Sequence, residues 1–239
     1  MESYRGALNG SPDDLNIILR VIGKRQESSD CMSVLFARPQ GLSFNAGDWL
    51  DIRFPDPDLA VGRTFSFASA PTEADLQITF RIGRTPFKRR LEAVVAGETL
   101  LITQYGSNGF LLDRGSPAVC LAGGVGIAPF RSMIKDVIDH RDMVPITVIH
   151  VNRTDGAPFK EELLGWRDEH AQLVVNHVTS AAKGRLTIER LRALIAHPRG
   201  SDPVFYVAGP PGFVVATTDL LSRIGVGPNA IKSDSFTGY

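Results

Sequence analysis

The stretch that decides the fold runs from Ala118 to Ile138, AVCLAGGVGIAPFRSMIKDVI: an apolar run, a glycine-rich turn, then an amphipathic segment of helical length. An apolar run without polar alternation suits a strand covered on both faces. The turn Gly123-Gly-Val-Gly-Ile-Ala-Pro129 lets the backbone reverse tightly. It also brings bare N–H groups, backed by a helix N-terminus, to the carboxyl end of that strand, an arrangement that suits a pyrophosphate. It is not the GxGxxG fingerprint, because Pro129 holds the third glycine position, and no Gly-Lys-Ser/Thr follows to make it a P-loop. Alone, it fits nucleotide binding and plain tight packing equally.

Downstream, PITVIHV, LVVNHV and VFYVAG repeat the pattern, with helix-length amphipathic stretches between them. This strand-and-helix alternation predicts a doubly wound parallel sheet with helices on both faces. Ala208-Gly-Pro-Pro-Gly212 closes VFYVAG with a second side-chain-poor turn, which in isolation reads as a simple helix start.

Upstream the grammar differs. From Leu15 to about Leu112 come NIILRVI, SVLFAR, WLDIRF, RTFSFAS, LQITFRI and ETLLIT, short runs separated by Gly41, Asn45-Ala-Gly47 and Pro55-Asp-Pro57. They predict antiparallel strands in a Greek-key β-barrel. One segment breaks the pattern: Thr85 as a cap, Pro86 at the first helical position, and Phe87, Leu91, Val94 and Val95 along one side predict a short helix. The division falls near Asp113 to Pro117, giving a barrel domain over 1–114 and an α/β domain over 115–239.

Lys plus Arg equals Asp plus Glu at 26 each, so the molecule has no net field to favour nucleic acid or an anionic membrane. Cys31 and Cys120 are the only cysteines and have no CxxC companion, which excludes a zinc ribbon or a cysteine-ligated iron–sulfur cluster within the chain and leaves buried, reduced thiols. No metal site is expected. The N-terminus lacks the pattern of a secretion signal and no apolar run approaches a membrane span, so a cytoplasmic location is expected and the Asn152-Arg-Thr154 sequon is a coincidence.

In the barrel half, Arg63-Thr-Phe-Ser66 combines a phosphate-gripping cation, an aromatic able to lie on a flat ring and a hydroxyl able to meet a ring edge. Alternation puts Arg63, Phe65 and Phe67 on one face and Thr64 and Ser66 on the other. Together, RTFS at 63–66, Gly123 to Pro129 and AGPP at 208–211 resemble the RxYS, GGxGxxP and CGPP motifs of the ferredoxin–NADP reductase superfamily, in that order and over Leu15 to Tyr239.

The resemblance implies a flavin-binding barrel joined to a nicotinamide-binding domain. Arg63 would hold the FAD pyrophosphate, Phe65 would pack on the flavin, and Ser66 would stand near N5, the atom that accepts hydride. Thr64, Thr85, Phe87 and the strand end Phe80-Arg81-Ile82 complete the implied FAD contacts. The nicotinamide nucleotide would meet Gly123, Gly124, Val125, Gly126 and Pro129, then Gly209, Pro210 and Phe213, with Thr179 alongside. The tail Ser235-Phe-Thr-Gly-Tyr239 is similar to aromatic ends that cover the flavin, which makes Tyr239 a gating residue, and Asp234 stands where relatives carry an acidic group. Ser66, Tyr239 and Asp234 thus form the implied catalytic set.

Two departures stand out. Phe65 replaces the usual Tyr, and Ala208 replaces the cysteine beside the nicotinamide. Arg153 or Arg185 could meet a 2′-phosphate, which leaves NADH against NADPH open, and Asn152 joins the implied nucleotide contacts. The implied activity is hydride transfer from NAD(P)H to FAD, with electrons passed to a separate iron–sulfur or haem protein such as a ferredoxin. Lys88-Arg-Arg90 could dock such a partner or be a solvated helix face. The alternatives are a flavin reductase or diaphorase acting on small acceptors and a non-catalytic electron-relay subunit.

Overall fold

The computed structural model describes residues 15–59, 61–195 and 202–236. The first half contains β1 (Ile17–Ser28), β2 (Cys31–Ala37), β3 (Trp49–Arg53), β4 (Arg63–Ser66), β5 (Asp75–Arg81), α1 (Pro86–Ala93) and β6 (Thr99–Gly106). The strands pair in the order β4-β3-β6-β1-β2-β5, each neighbouring pair antiparallel. Just past β4 the chain folds back on β5: Ala68 N–H donates to the Gln77 carbonyl at 2.8 Å, and Gln77 N–H donates to Ser69 Oγ at 3.0 Å. These bonds join the two edges of the sheet into the expected barrel.

The barrel interior is filled by inward residues of every strand, among them Leu19, Val34, Phe36, Leu50, Phe67, Ile78 and Leu100, none of them exposed. α1 covers one end with Phe87 and Leu91, as its spacing predicts. Val95 departs from that reading: the helix ends at Ala93, and Val95 lies in the following turn, 58% exposed. Both cysteines are free and buried, and burial pushes the Cys31 thiol up to about 12.

The second half contains β7 (Ala118–Gly123), α2 (Ile127–His140), β8 (Ile146–Asn152), α3 (Lys160–Glu169), β9 (Leu173–Thr179), α4 (Ser180–Lys183), α5 (Ile188–Leu194), β10 (Val204–Gly209), α6 (Pro211–Arg223) and β11 (Ile231–Ser235). Its sheet is wholly parallel, in the order β11-β10-β7-β8-β9. Alternate residues of β7 face opposite layers. Ala118, Cys120 and Ala122 pack with Phe130, Met133, Ile134 and Val137 of α2 and Leu163 of α3, while Val119 and Leu121 pack with Leu191 of α5 and Val214 and Leu221 of α6. The structure adds β11 just before the aromatic tail: Asp234 lies within this strand, in register with Ala208.

The two halves share a core. Ala68 and Phe110 of the barrel belong to the cluster built on α2, and Phe110 packs against Phe130 and Tyr206 with ring centroids 5.7 and 5.8 Å away. The Tyr206 hydroxyl accepts the Asp113 N–H at 2.7 Å and anchors the chain just before it leaves the barrel. Among the described residues no helix is long and apolar enough to cross a membrane.

Candidate functional site

β7 and β10 are neighbours whose chains leave in opposite directions across the sheet, so their carboxyl ends flank a crevice at the topological switch point. Both glycine-rich turns lie there. Gly126 is pressed onto the end of β10: a methyl group on it would stand 2.2 Å from the Ala208 carbonyl oxygen and 2.7 Å from Gly209 Cα. Its φ of −59° suits any residue, so glycine is required there by contact and not by conformation. At Gly124 the reverse holds, since φ is +55° and nothing lies within 4 Å of the position a side chain would take. That bare, open backbone is what a close-lying phosphate or ribose needs.

Val125 and Pro129 are buried behind this surface, and the Phe213 ring lies against Gly123, 2.6 Å from where its methyl would be. Pro210 caps α6, and the Gly209 carbonyl accepts the Phe236 N–H at 3.0 Å, which ties the residue just past β11 to the end of β10. Asp234 is level with Ala208, and burial holds its carboxyl above the usual range against a Ser235 backbone bond. Tyr239, the implied gating ring, lies outside the described residues.

Behind the Gly123–Pro129 turn is a residue that the sequence showed only as part of a strand. His150 of β8 is fully buried, and its Nε2–H donates to the Gly124 carbonyl at 2.9 Å. A carbonyl can only accept, so the proton sits on Nε2 and Nδ1 is bare. Burial pushes this imidazole down to about 3, and His177, in register on β9 with ring centroids 5.5 Å apart, lowers it further. His150 Nδ1, both His177 ring nitrogens and Asn152 Nδ2 are buried polar atoms without hydrogen-bond partners. Thr179 is in register with Asn152, and Ser180 Oγ donates to the Asn152 carbonyl at 3.0 Å. Arg153 is exposed on the loop that follows β8, and Arg185 is exposed between α4 and α5.

On the barrel, the structure brings Arg63, Phe65 and the start of α1 together. The Arg63 guanidinium lies 5.7 Å from the Phe87 ring, and Phe65 stacks on Phe87 at 6.2 Å. Arg63 is exposed and bonds only the backbone carbonyl of its neighbour Gly62, at 2.9 Å, and more weakly that of Val61; among the described residues it has no carboxylate partner. Thr85 Oγ1 accepts the Lys88 N–H at 3.3 Å as an N-cap, leaving its own O–H to donate outward. Thr64 Oγ1 bonds Asp51, and Ser66, 8% exposed, closes the strand.

Four residues of the implied flavin set are engaged within the barrel or at its edge. Phe80 and Phe87 are inside the barrel core, so Phe80 offers a ligand only its backbone, and Phe87 acts as the floor under Arg63 and Phe65. Arg81 forks onto Asp30 at 2.6 and 3.0 Å, because the two stand side by side across the β2–β5 edge. Ile82 packs on the barrel cluster with its N–H on the Asp30 carbonyl at 2.8 Å. The basic run 88–90 is fanned by the helix: Lys88 covers Gly83, Arg90 pairs with Glu98 at 2.8 Å, and Arg89 alone is exposed.

Sequence reasoning also missed Arg131 on α2. It has 3% exposure and bonds Glu73 and Ala68 of the barrel as well as Glu162 of α3. The signal was present: Arg131 sits on the apolar stripe of Ile127, Phe130, Ile134 and Val137, where a lone cation must have partners.

Comparison with known proteins agrees with this geometry. Residues 120–219 match the oxidoreductase NAD-binding domain. Among curated proteins, the flavohemoprotein of Bacillus subtilis is 22% identical over 90% of this chain and 58% of its own length. The reductase component 1 of terephthalate 1,2-dioxygenase from Comamonas sp is 27% identical over 81% of this chain and 59% of its own. The chain thus spans under two thirds of these relatives. A ferredoxin NADP+ reductase from Neisseria gonorrhoeae, solved with bound FAD and NADP, superposes with a TM-score of 0.79 over 91% of this chain and 97% of that one, at 19% identity. The fold and the paired turns are those of the two-domain FAD- and nicotinamide-binding architecture that this neighbour shows. The chain has the fold of the ferredoxin–NADP reductase superfamily, and its residues 120–219 are an oxidoreductase NAD-binding domain.

Proposed function

We propose that this protein is an FAD-dependent NAD(P)H oxidoreductase that passes electrons to a separate iron–sulfur or haem protein. The observation that carries the reading is the crevice at the switch point, where Gly126 must be bare to seat against Ala208 and Gly124 presents open backbone. When bound, FAD would supply the chemistry that no side chain has, accepting two electrons as hydride and releasing them one at a time.

The residues present fit both groups. Arg63, which has no carboxylate partner among the described residues, and the Thr85 helix start offer a pyrophosphate a cation, a hydroxyl and the positive end of a helix dipole. Phe65 offers a half-buried ring to the flavin, and Ser66 a hydroxyl at its edge. Across the crevice, Gly124 to Gly126 and Gly209 to Phe213 hold the nucleotide, and Arg153 or Arg185 meets its 2′ position. Ala208 has no thiol to contribute, so alignment of the two rings is left to backbone and packing. The likeness to the reductase component of a dioxygenase supports the partner class.

The test is direct. Purified protein loaded with FAD is mixed anaerobically with NADH or NADPH, and loss of the flavin's visible absorption is followed. Bleaching by either donor supports the reading; a protein that binds FAD and is reduced by neither loses the oxidoreductase assignment.

A further inference from the structure

The only buried cation that joins the two halves is, among the described residues, the Arg131 guanidinium, and its bonding is saturated. Nη1 donates to the Ala68 carbonyl at 2.8 Å and to Glu73 Oε2 at 2.7 Å. Nη2 donates to Glu73 Oε1 at 3.0 Å and Glu162 Oε1 at 2.8 Å, and Nε to Glu162 Oε2 at 2.8 Å. A guanidinium has five N–H donors, and each is matched here. The flat group also lies 5.4 Å from both the Phe159 and Trp166 rings.

The contacts are placed where geometry matters for the reaction. Ala68 and Ser69 directly follow Ser66 and Phe67, and Arg131 and Ser132 are on the first turns of the helix that the glycine loop opens. Ser132 Oγ donates to the Ser69 carbonyl at 2.7 Å, and Thr72 Oγ1 to Asp139 at 2.5 Å. Glu73 is itself fixed by the Ala70 N–H at 2.6 Å. The segment leaving the flavin-side strand is therefore held to the helix leaving the nucleotide turn.

A buried ion pair is weak evidence for stability, because apolar residues of equal volume often serve as well. A fork bonded to two carboxylates does something apolar packing does not, since it tolerates little sliding. We propose that Arg131, clasped by Glu73 and Glu162, is a positioning residue that sets the separation of flavin and nicotinamide across the two domains. This rests on the oxidoreductase reading above. Hydride transfer requires contact at about 3–3.5 Å, and a misplacement of about 1 Å costs roughly 100-fold in rate.

The experiment compares wild type, Arg131→Met, Arg131→Lys and, as a surface control, Arg223→Ala, all FAD-loaded. Stopped-flow bleaching against nucleotide concentration separates the limiting rate from Kd. Amide hydrogen exchange of the same proteins without nucleotide reads the clasp independently of turnover. Arg131→Met should lower the limiting rate at least tenfold with Kd changed less than threefold, and should speed exchange across 67–73 and 127–139 while the β1–β2 hairpin stays protected. Arg131→Lys keeps the charge but not the fork, and should be nearly as slow. Should Arg131→Met not fold, Glu73→Gln, which keeps shape and loses one charge-assisted pair, should give an intermediate rate. Wild-type limiting rates in these variants overturn the proposal while the oxidoreductase reading stands. A wild-type protein inert to both nucleotides removes that reading and the proposal with it.

Discussion

Replacing Gly126 by Ala sets two physical effects against each other. Gly126 is the residue before α2 with φ −59° and ψ −6°, so by conformation alone alanine would stabilise the chain by about 0.4–1 kcal/mol. The added methyl, however, would stand 2.2 Å from the Ala208 oxygen, 2.6 Å from its carbon and 2.7 Å from Gly209 Cα. All three are backbone atoms of a central strand, so relief to an ordinary contact requires the two turns to part by about 1 Å, and overpacking of this kind costs about 1–3 kcal/mol. The steric effect wins. At about 2–4 °C per kcal/mol for a chain of this size, Tm should fall by several degrees. Nucleotide affinity should fall at least tenfold, because the same crevice is forced open. Gly165→Ala is the matched control: Gly165 is in the exposed middle of α3 with nothing within 4 Å, so it should gain about 0.5–1 kcal/mol. Denaturant melts and titration of the FAD-loaded protein with a nicotinamide nucleotide measure both. Gly126→Ala as stable as wild type, with unchanged affinity, would refute the seating of one turn on the other.

His150→Phe should weaken nucleotide binding about 2- to 10-fold, the worth of one hydrogen bond to the Gly124 carbonyl, as read by the same titration. It should also change acid stability: an imidazole held neutral down to about 3 contributes stability above its unfolded value near 6.5 and loses it as pH falls. Between pH 7 and 5 the wild type should therefore lose about 2 kcal/mol more than His150→Phe, and equal losses would contradict the burial. Tyr206→Phe, which strands the Asp113 N–H, should cost about 1–3 kcal/mol in denaturant melts without altering nucleotide affinity. Arg63→Ala should weaken FAD retention on a desalting column while the melt of the apoprotein barely moves, since Arg63 is exposed and holds only neighbouring carbonyls.

The strands that carry both sites were legible because burial writes itself as period. The four apolar runs of the second half became β7 to β10 and the six of the first half β1 to β6. β11 was not, since IKSDS is a short edge strand paired on one side and has no apolar run to announce it. Turn chemistry exposed Thr85, Pro86 and the two glycine-rich turns. What sequence could not give is partnership at long range. His150 reads as one polar residue in an apolar strand, and its acceptor is a carbonyl 26 residues earlier. Arg131 stands on an apolar stripe, but its carboxylates lie 58 residues before it and 31 after. The Arg81 pairing was hidden for the same reason, because Asp30 meets it only when β5 pairs with β2.

The central claim is that the two halves hold a flavin and a nicotinamide in contact. It is tested most directly by stopped-flow reduction of the FAD-loaded protein with nucleotide carrying deuterium or hydrogen at the transferred C4 position. The expected result is flavin bleaching slowed by the deuterium, the mark of a hydride crossing between the two rings. Bleaching indifferent to the isotope at every nucleotide concentration, or none at all from a protein that has taken up FAD, would contradict it.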